Sequence, residues 1–143
     1  MPPLSTAEAE SFLAQRHWGV LVTLKSSDGR PQLSNVAYAL LDRRIRVSVT
    51  DGRAKTANVR RDPRVSLHVT SDDFWTYVVA EGDAQLSPLA AEAGDETCRR
   101  LLRLNEAATG HPHSDPDEFF EAMVADRRLE LSFEIGNLYP TAR

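Results

Sequence analysis

Strict alternation of apolar and polar residues runs through three segments of the chain. In residues 44–50 isoleucine and valine alternate with arginine, serine and threonine, and residues 64–70 and 129–135 repeat the pattern. A period of two is typical of strands that bury one face and leave the other polar, as in antiparallel sheets and barrels. These segments predict a fold built mainly on antiparallel strands.

Further strands are predicted around these segments. Residues 18–50 are rich in β-branched and aromatic residues and carry turn signals at 28–29 and 42–43, which predicts a meander of three strands. Residues 74–86 are long for one strand, and Gly82 would let that strand bend as a barrel strand does. We therefore expect six strands.

Helices are predicted before and between the strands. Ser5 and Glu8 have the spacing of a capping box, which indicates a helix at the N-terminus. Residues 51–64 connect the third and fourth strands and are long enough for about two turns of helix. Residues 87–107 read as helical from Ser87-Pro88 onward, and another helix should begin at the N-cap Asp115. The result is an α+β chain in which peripheral helices surround a small antiparallel β-barrel.

Composition limits the class of protein. With 41% hydrophobic residues, residues 1–143 suit one domain with its own core. No segment is apolar enough to span a membrane and the start lacks a signal-peptide layout, so we expect a cytoplasmic protein with no membrane partner. The one cysteine, Cys98, has Leu101 and Leu102 at helical spacing, which favours a packed core thiol over a nucleophile.

The positive charge of the chain is concentrated in one place. The formal net charge is −4, yet residues 51–64 carry five cations against two carboxylates. Such an asymmetry indicates a local anionic partner. Nucleic acid is disfavoured as that partner, because the patch is short, the chain is acidic as a whole and no DNA- or RNA-binding motif occurs.

The same stretch has the order of a phosphate site. Arg53, Lys55 and Thr56 fall in or near the first turn of the predicted helix, where unpaired amides and the helix dipole favour an anion. A phosphate would be held by arginine as a fork, by lysine as a point charge and by the threonine hydroxyl as a donor.

An alternative interpretation of this stretch stays open at the level of charge. The cations could be solvated residues on a surface helix, with Asp62 pairing with Arg60 or Arg61. Charge clustering alone favours neither interpretation.

Two predicted strands carry residues that could border a planar ligand. Gln32 and Ser34 point to one face of their strand and Asn35 to the other, where a ligand edge or neighbouring backbone could satisfy them. Trp75 and Tyr77 share a face of the strand over 74–86, where they could flank a heterocycle or pack in the barrel wall.

Motifs for metal binding and hydrolysis are not recognisable in the sequence. His111 and His113 lie near Asp115 and Asp117, but the intervening prolines give no fixed face, and the carboxylates suit helix caps better. The sequence contains no nucleophile elbow, Walker loop or dinucleotide glycine motif.

Four segments in order carry a resemblance to a known family: DGRPQLSNVAYAL, RVSVTDGRAKTANVRRDPRVSLHV, FWTYVVAEGDAQL and MVADRRLELSF. They resemble the flavin- and deazaflavin-binding split β-barrel proteins, in the actinobacterial branch related to pyridoxamine 5′-phosphate oxidase that uses coenzyme F420. The most specific piece is RAKTANVRRDPR. The resemblance implies a six-stranded antiparallel split β-barrel of the FMN-binding type.

The resemblance also implies a homodimer with a cofactor site at the subunit interface. The implied cofactor-binding residues are Gln32, Ser34, Asn35, Val47, Ser48, Arg53, Ala54, Lys55, Thr56, Trp75, Tyr77, Met123 and Arg127. The first five would border the ring, the next four would bind the phosphate, the two aromatic residues would approach the ring, and the last two would come from the other subunit.

The implied activity is hydride transfer between reduced deazaflavin and an unidentified small organic substrate. Because the cofactor supplies the redox chemistry, no catalytic residue is predicted. F420 carries a glutamate tail beyond its phosphate, which Arg60, Arg61 and Arg64 could meet. An FMN-dependent enzyme like pyridoxamine 5′-phosphate oxidase and a non-catalytic flavin- or deazaflavin-binding protein are the alternatives. The ending EIGNLYPTAR does not match the basic end of pyridoxamine 5′-phosphate oxidases, so vitamin B6 phosphates are not the implied substrates.

Overall fold

A curled antiparallel sheet forms the centre of the molecule in the computed structural model, which describes residues 3–141. Its strands are β1 (Trp18–Leu24), β2 (Pro31–Leu41), β3 (Arg44–Thr50), β4 (Arg64–Thr70), β5 (Tyr77–Asp83), β6 (Gln85–Leu86), β7 (Arg128–Glu134) and β8 (Asn137–Tyr139). They pair in the order β6-β7-β3-β2-β1-β4-β5-β8, and every neighbouring pair is antiparallel. The mainly β architecture predicted from alternation is confirmed.

Residues 3–141 contain eight strands, so the prediction of six was wrong. The predicted strand 74–86 is divided in two. Residues 71–76 form a turn in which the Asp73 carboxylate accepts from the Ser71 hydroxyl at 2.6 Å, so β5 begins only after it. A break after Asp83 then separates β5 from β6. Strand β8 is the other addition, because three residues are too few to show a period of two.

The inner face of the sheet forms the main core. Ile45, Val47 and Val49 of β3 are fully buried there against leucines and a phenylalanine of β7, as the alternation predicted. Leu13 covers one end of this core, and its carbonyl oxygen accepts the Tyr38 hydroxyl at 2.7 Å. Burial raises the pKa of Tyr38.

The sheet closes on itself where β5 passes β7. A Cβ atom at Gly82 would collide with the carbonyl oxygen of Glu134, so only glycine permits this approach. Just beyond it, the Gly136 N–H donates to the Glu81 carbonyl oxygen at 2.8 Å. The bend expected at Gly82 is therefore part of the curl.

Four helices lie around the sheet: α1 (Thr6–Ala14), α2 (Ala54–Arg61), α3 (Glu96–Thr109) and α4 (Pro116–Ala125). The capping box of Ser5 and Glu8 is present. The helix predicted from Ser87 does not start there, because the Ser87 N–H donates to Glu130 of β7 at 2.9 Å and keeps the chain beside the sheet. Helix α3 begins after the N-cap Asp95 instead. No helix within residues 3–141 is long and apolar enough to cross a membrane.

Helices α3 and α4 cover the outer face of β2, β3 and β7. Ala39, Leu101, Leu104 and Phe119 form a second apolar cluster between them. Helix α4 starts as predicted, with the Asp115 carboxylate accepting from the Glu118 N–H at 3.2 Å. Cys98 lies in the first turn of α3 with its thiol buried against α4, which confirms a packed core residue.

Candidate functional site

Strand β2 changes its partner partway along its length. Residues 31–37 pair with β1, whereas residues 38–41 pair with β3. Residues 48–50 of β3 have no ladder to β2 in the part of the chain that the structure describes. We call this opening the split. Its two strand edges offer backbone N–H and C=O groups to a ligand.

Hydrogen bonds attach helix α2 to the strands on both sides of the split. The Thr56 hydroxyl donates to the Thr50 carbonyl oxygen at the end of β3, at 2.8 Å. The buried amide of Asn58 donates to Gln32 Oε1 of β2 at 2.9 Å and to Thr23 Oγ1 of β1 at 3.1 Å. These hydrogen bonds fix the N-terminus of α2 beside the split.

The first turn of α2 has the geometry of an anion site. The first intrahelical hydrogen bond runs from the Ala57 N–H to the Arg53 carbonyl oxygen at 3.2 Å, so the amides of residues 54–56 precede it. Arg53 is the N-cap residue, and its side chain makes no capping hydrogen bond. The helix expected within 51–64 is therefore confirmed, and its N-terminus carries the positive end of the helix dipole.

Three cationic side chains surround this helix start: Arg53, Lys55 and Arg128. Burial lowers the pKa of Lys55, and the charges of Arg53 and Arg128 lower it further. Within residues 3–141 none of the three forms an ion pair with a carboxylate. We call them the cation cluster. A bound anion would relieve their mutual repulsion.

The later arginines of residues 51–64 already contact acceptors within the protein. Arg60 contacts the Asp51 carboxylate at 2.5 Å, and Arg64 contacts Asp62 at 2.7 Å. Hydrogen bonds from Arg64 hold the pKa of Asp62 at about 2. Arg61 donates to a backbone carbonyl at the end of β1. The expected pairing of Asp62 with Arg60 or Arg61 was therefore wrong.

The two arginines before the last long strand have different roles. Arg127 pairs with Asp51 at 3.0 Å. Arg128 begins β7, and its Nη1 donates to Ser48 Oγ at 3.4 Å. Sequence reasoning named Arg127 and missed Arg128, although alternation places Arg128 on the same outer strand face as Glu130.

The other residues predicted to contact the cofactor are spread over several positions. Asn35 is exposed on the outer face of β2, whereas Ser34 is half-buried on the opposite face. Val47 is buried in the core, so only its backbone could reach a ligand. Gln32 already accepts a hydrogen bond from α2, and Ala54 is exposed in the first turn of that helix.

The two predicted aromatic contacts do not share one strand. Trp75 lies in the turn before β5 and is 82% exposed, next to the exposed Phe74. Tyr77 is the first residue of β5 and stacks on His68, with ring centroids 5.3 Å apart and planes 19° from parallel. The expectation of a shared strand face was wrong because the turn over residues 71–76 takes Trp75 out of the strand.

Two concavities adjoin the split. A groove of about 430 Å³ on β1 and β2 is lined by Trp18, Asn35 and Ala37, among others. A cavity of about 240 Å³ between the sheet and helices α3 and α4 is lined by Ser48, Met123 and the same Ala37. The shared alanine makes the groove and the cavity neighbours.

A larger open concavity of about 700 Å³ is lined from β1, β4, β5 and the β7–β8 segment. Its polar groups largely pair with each other: Arg44 lies 3.9 Å from Glu134, and the Asn137 amide donates to Glu81 at 2.8 Å. We place the candidate site at the split instead, because the unpaired positive charge is there.

Comparison with known proteins identifies the family of this fold. Residues 5–130 match the family described as pyridoxamine 5′-phosphate oxidase. A conserved hypothetical protein of Mycobacterium tuberculosis is 26% identical, with a TM-score of 0.74 over 94% of this chain and 82% of its own. A protein named F420 reductase is 24% identical, with a TM-score of 0.68 over 90% and 94% of the two chains. A FAD-binding protein of Mesorhizobium loti is 21% identical, with a TM-score of 0.67 over 96% and 92%. The family match spans most of the sequence, so this chain belongs to the pyridoxamine 5′-phosphate oxidase family and has the fold of its flavin-binding oxidoreductases.

Proposed function

We propose that the protein is an F420-dependent oxidoreductase that transfers a hydride between reduced deazaflavin and a small organic substrate. The observation that carries the proposal is the cation cluster at the N-terminus of α2, which lacks a carboxylate partner among residues 3–141. A cofactor phosphate supplies the missing negative charge. The similarity in fold to the protein named F420 reductase supports the choice of deazaflavin.

The phosphate would be held by charge and by backbone together. Arg53 offers a planar fork, Lys55 a point charge, and the amides of residues 54–56 offer donors in the first helical turn. Thr56 would contribute its amide, because its hydroxyl already donates to Thr50. The predicted phosphate residues are retained, but the backbone amide of Thr56 rather than its hydroxyl would contact the phosphate.

The ring would lie at the split, where strand edges and the exposed Asn35 can bind its polar edge. A bound reduced deazaflavin would supply the hydride, and a proton from solvent would complete the reduction after the hydride transfer. The protein orients the two reactants and excludes water with apolar side chains of α3 and α4, such as Leu104 and Met123.

An FMN-dependent oxidase is the second candidate, and the paired arginines favour it. Arg60 and Arg64 would have to leave Asp51 and Asp62 to meet the glutamate tail of F420. A cofactor that ends at its phosphate needs only Arg53, Lys55 and the amides of the first turn. The later arginines therefore no longer favour F420 over FMN. The preference for F420 rests on the sequence resemblance and on the structural neighbour named F420 reductase.

We propose further that the protein is a homodimer with the cofactor at the subunit interface. Trp18 is 82% exposed and Leu33 is 65% exposed on the outer face of β1 and β2, beside the groove. Apolar surface of this kind is typical of a protein interface. Trp18→Glu should be a monomer in light scattering. Its cofactor binding, measured by titration, should be weaker than that of the wild type. A monomeric wild-type protein at micromolar concentration contradicts the proposal.

Titration of the purified protein with F420 and with FMN tests the function. Tighter binding of F420, followed by turnover of enones or quinones with the reduced cofactor, supports the leading proposal. Binding of FMN alone shows the second candidate to be correct. Tight cofactor binding without turnover of a broad panel of acceptors indicates a carrier or storage protein instead.

A further inference from the structure

The cavity under helices α3 and α4 has the properties of a small-molecule site. Its volume of about 240 Å³ corresponds to about eight water molecules in the liquid. Apolar side chains form most of its walls, among them Leu101, Leu104, Phe119 and Met123. This lining suits one small and largely apolar molecule.

One guanidinium is part of the lining of this cavity. Arg128 lines it, and its Nη1 makes a long hydrogen bond of 3.4 Å to Ser48 Oγ. Its Nε is buried and has no hydrogen-bond partner among the residues that the structure describes. A buried charged donor without an acceptor is unfavourable, so an acceptor bound in the cavity would stabilise it.

The cavity touches both parts of the proposed cofactor site. On one side, the charge of Arg128 is close enough to lower the pKa of Lys55 in the cation cluster. On the other side, Ala37 lines both the cavity and the groove on β1 and β2. A molecule in the cavity would lie beside a ring bound at the split, which is where a hydride acceptor has to be.

We propose that this cavity binds the substrate, and that the substrate is a small monocarboxylate with an apolar body, held by Arg128 and Ser48. The proposal rests on the proposed function, since it names the molecule whose activated C=C bond would take the hydride at one carbon and a proton at the other. A carboxylate matches the planar guanidinium as a two-oxygen acceptor. A single carboxylate balances the single cation that lines the cavity, and the apolar body packs between Leu104 and Phe119.

The test uses two probes of the same shape, 3-phenylpropionate and 3-phenylpropanamide. Calorimetry on the full chain should show the carboxylate binding about tenfold more tightly than the amide. In Arg128→Gln this preference should disappear, whereas Arg100→Gln, the same change of charge at an exposed residue of α3, should keep it. Ala108→Phe, which places a ring in the cavity, should weaken the binding of both probes.

Cofactor titrations separate this inference from the proposed function. Adding 3-phenylpropionate to the cofactor complex should shift the visible absorption of the bound cofactor in the wild-type protein and not in Arg128→Gln. Equal affinity for the two probes, or a preference that survives Arg128→Gln, overturns the inference. So does an unshifted spectrum when both molecules are bound. If neither cofactor binds while the carboxylate preference persists, the proposed function fails and the carboxylate site alone is supported.

Discussion

The two ends of helix α2 carry similar positive charge in different states. At the C-terminal end Arg60 lies 2.5 Å from a carboxylate oxygen, and just beyond the helix Arg64, the first residue of β4, lies 2.7 Å from another. At the N-terminal end Arg53 and Lys55 have no such partner within residues 3–141. The helix dipole disfavours cations at an N-terminus and favours them at a C-terminus, so stability alone does not explain the N-terminal pair. Positive charge without a carboxylate partner, rather than a high density of positive charge, therefore marks the candidate site.

The largest expected effect is at the N-terminal end of α2. Lys55→Ala should raise the dissociation constant of the cofactor about 10- to 150-fold, because a charge-assisted contact contributes about 1.5 to 3 kcal/mol. Fluorescence titration measures this change. Lys55→Arg keeps the charge and should recover part of the affinity. An unchanged constant in Lys55→Ala would place the phosphate elsewhere and remove the distinction between the two ends.

The next largest effect is expected in the middle of α2, at Asn58. Asn58→Ala removes two buried hydrogen bonds and leaves Gln32 Oε1 without this donor. The free energy of unfolding should fall by about 1 to 3 kcal/mol, measured by urea denaturation. Cofactor affinity should fall as well, since the helix start loses its attachment to β2. Full stability in this variant would show that other contacts seat α2.

Local patterns in the sequence predicted the elements that have strong periodicity. Strands β3, β4 and β7 follow from a strict period of two, and α2 with its basic first turn follows from its position between two strands. The residues proposed to bind a phosphate could be named from the sequence because they are adjacent in it. Their helical context needs no information from distant parts of the chain.

Features that depend on distant contacts could not be predicted in this way. Asp51 pairs with Arg127, which is 76 residues away, whereas the neighbouring Arg128 lines the cavity. Only the partner change of β2 at Tyr38 reveals the split. Similarly, the polar residue Ser87 is kept out of a helix by its pairing with β7. Each of these features depends on contacts between distant segments. Local secondary-structure propensity carries no information about such contacts.

A smaller effect is expected at Asp51, which accepts hydrogen bonds from Arg60 and Arg127. These bonds lower the pKa of Asp51, whose carboxylate is charged at neutral pH. Asp51→Asn frees both arginines for another anion. Affinity for F420 should rise about threefold at low ionic strength, the size of an exposed ion pair, whereas affinity for FMN should not change. Equal changes for both cofactors would mean that the freed arginines do not reach a tail.

The smallest effect is expected just beyond the C-terminal end of α2, at the start of β4. Arg64→Gln should leave cofactor affinity within about a factor of two, because this exposed cation is already paired. The pair lowers the pKa of Asp62 to about 2, below the value of about 3.9 in an unfolded chain. Its contribution to stability is therefore present above about pH 4 and is lost as the pH falls toward about 2. Thermal unfolding should show a slightly lower midpoint for Arg64→Gln at pH 7, and the difference from wild type should shrink between about pH 4 and pH 2. A large loss of cofactor affinity in this variant would contradict the contrast between the two ends and would restore the C-terminal arginines as ligands of a tail.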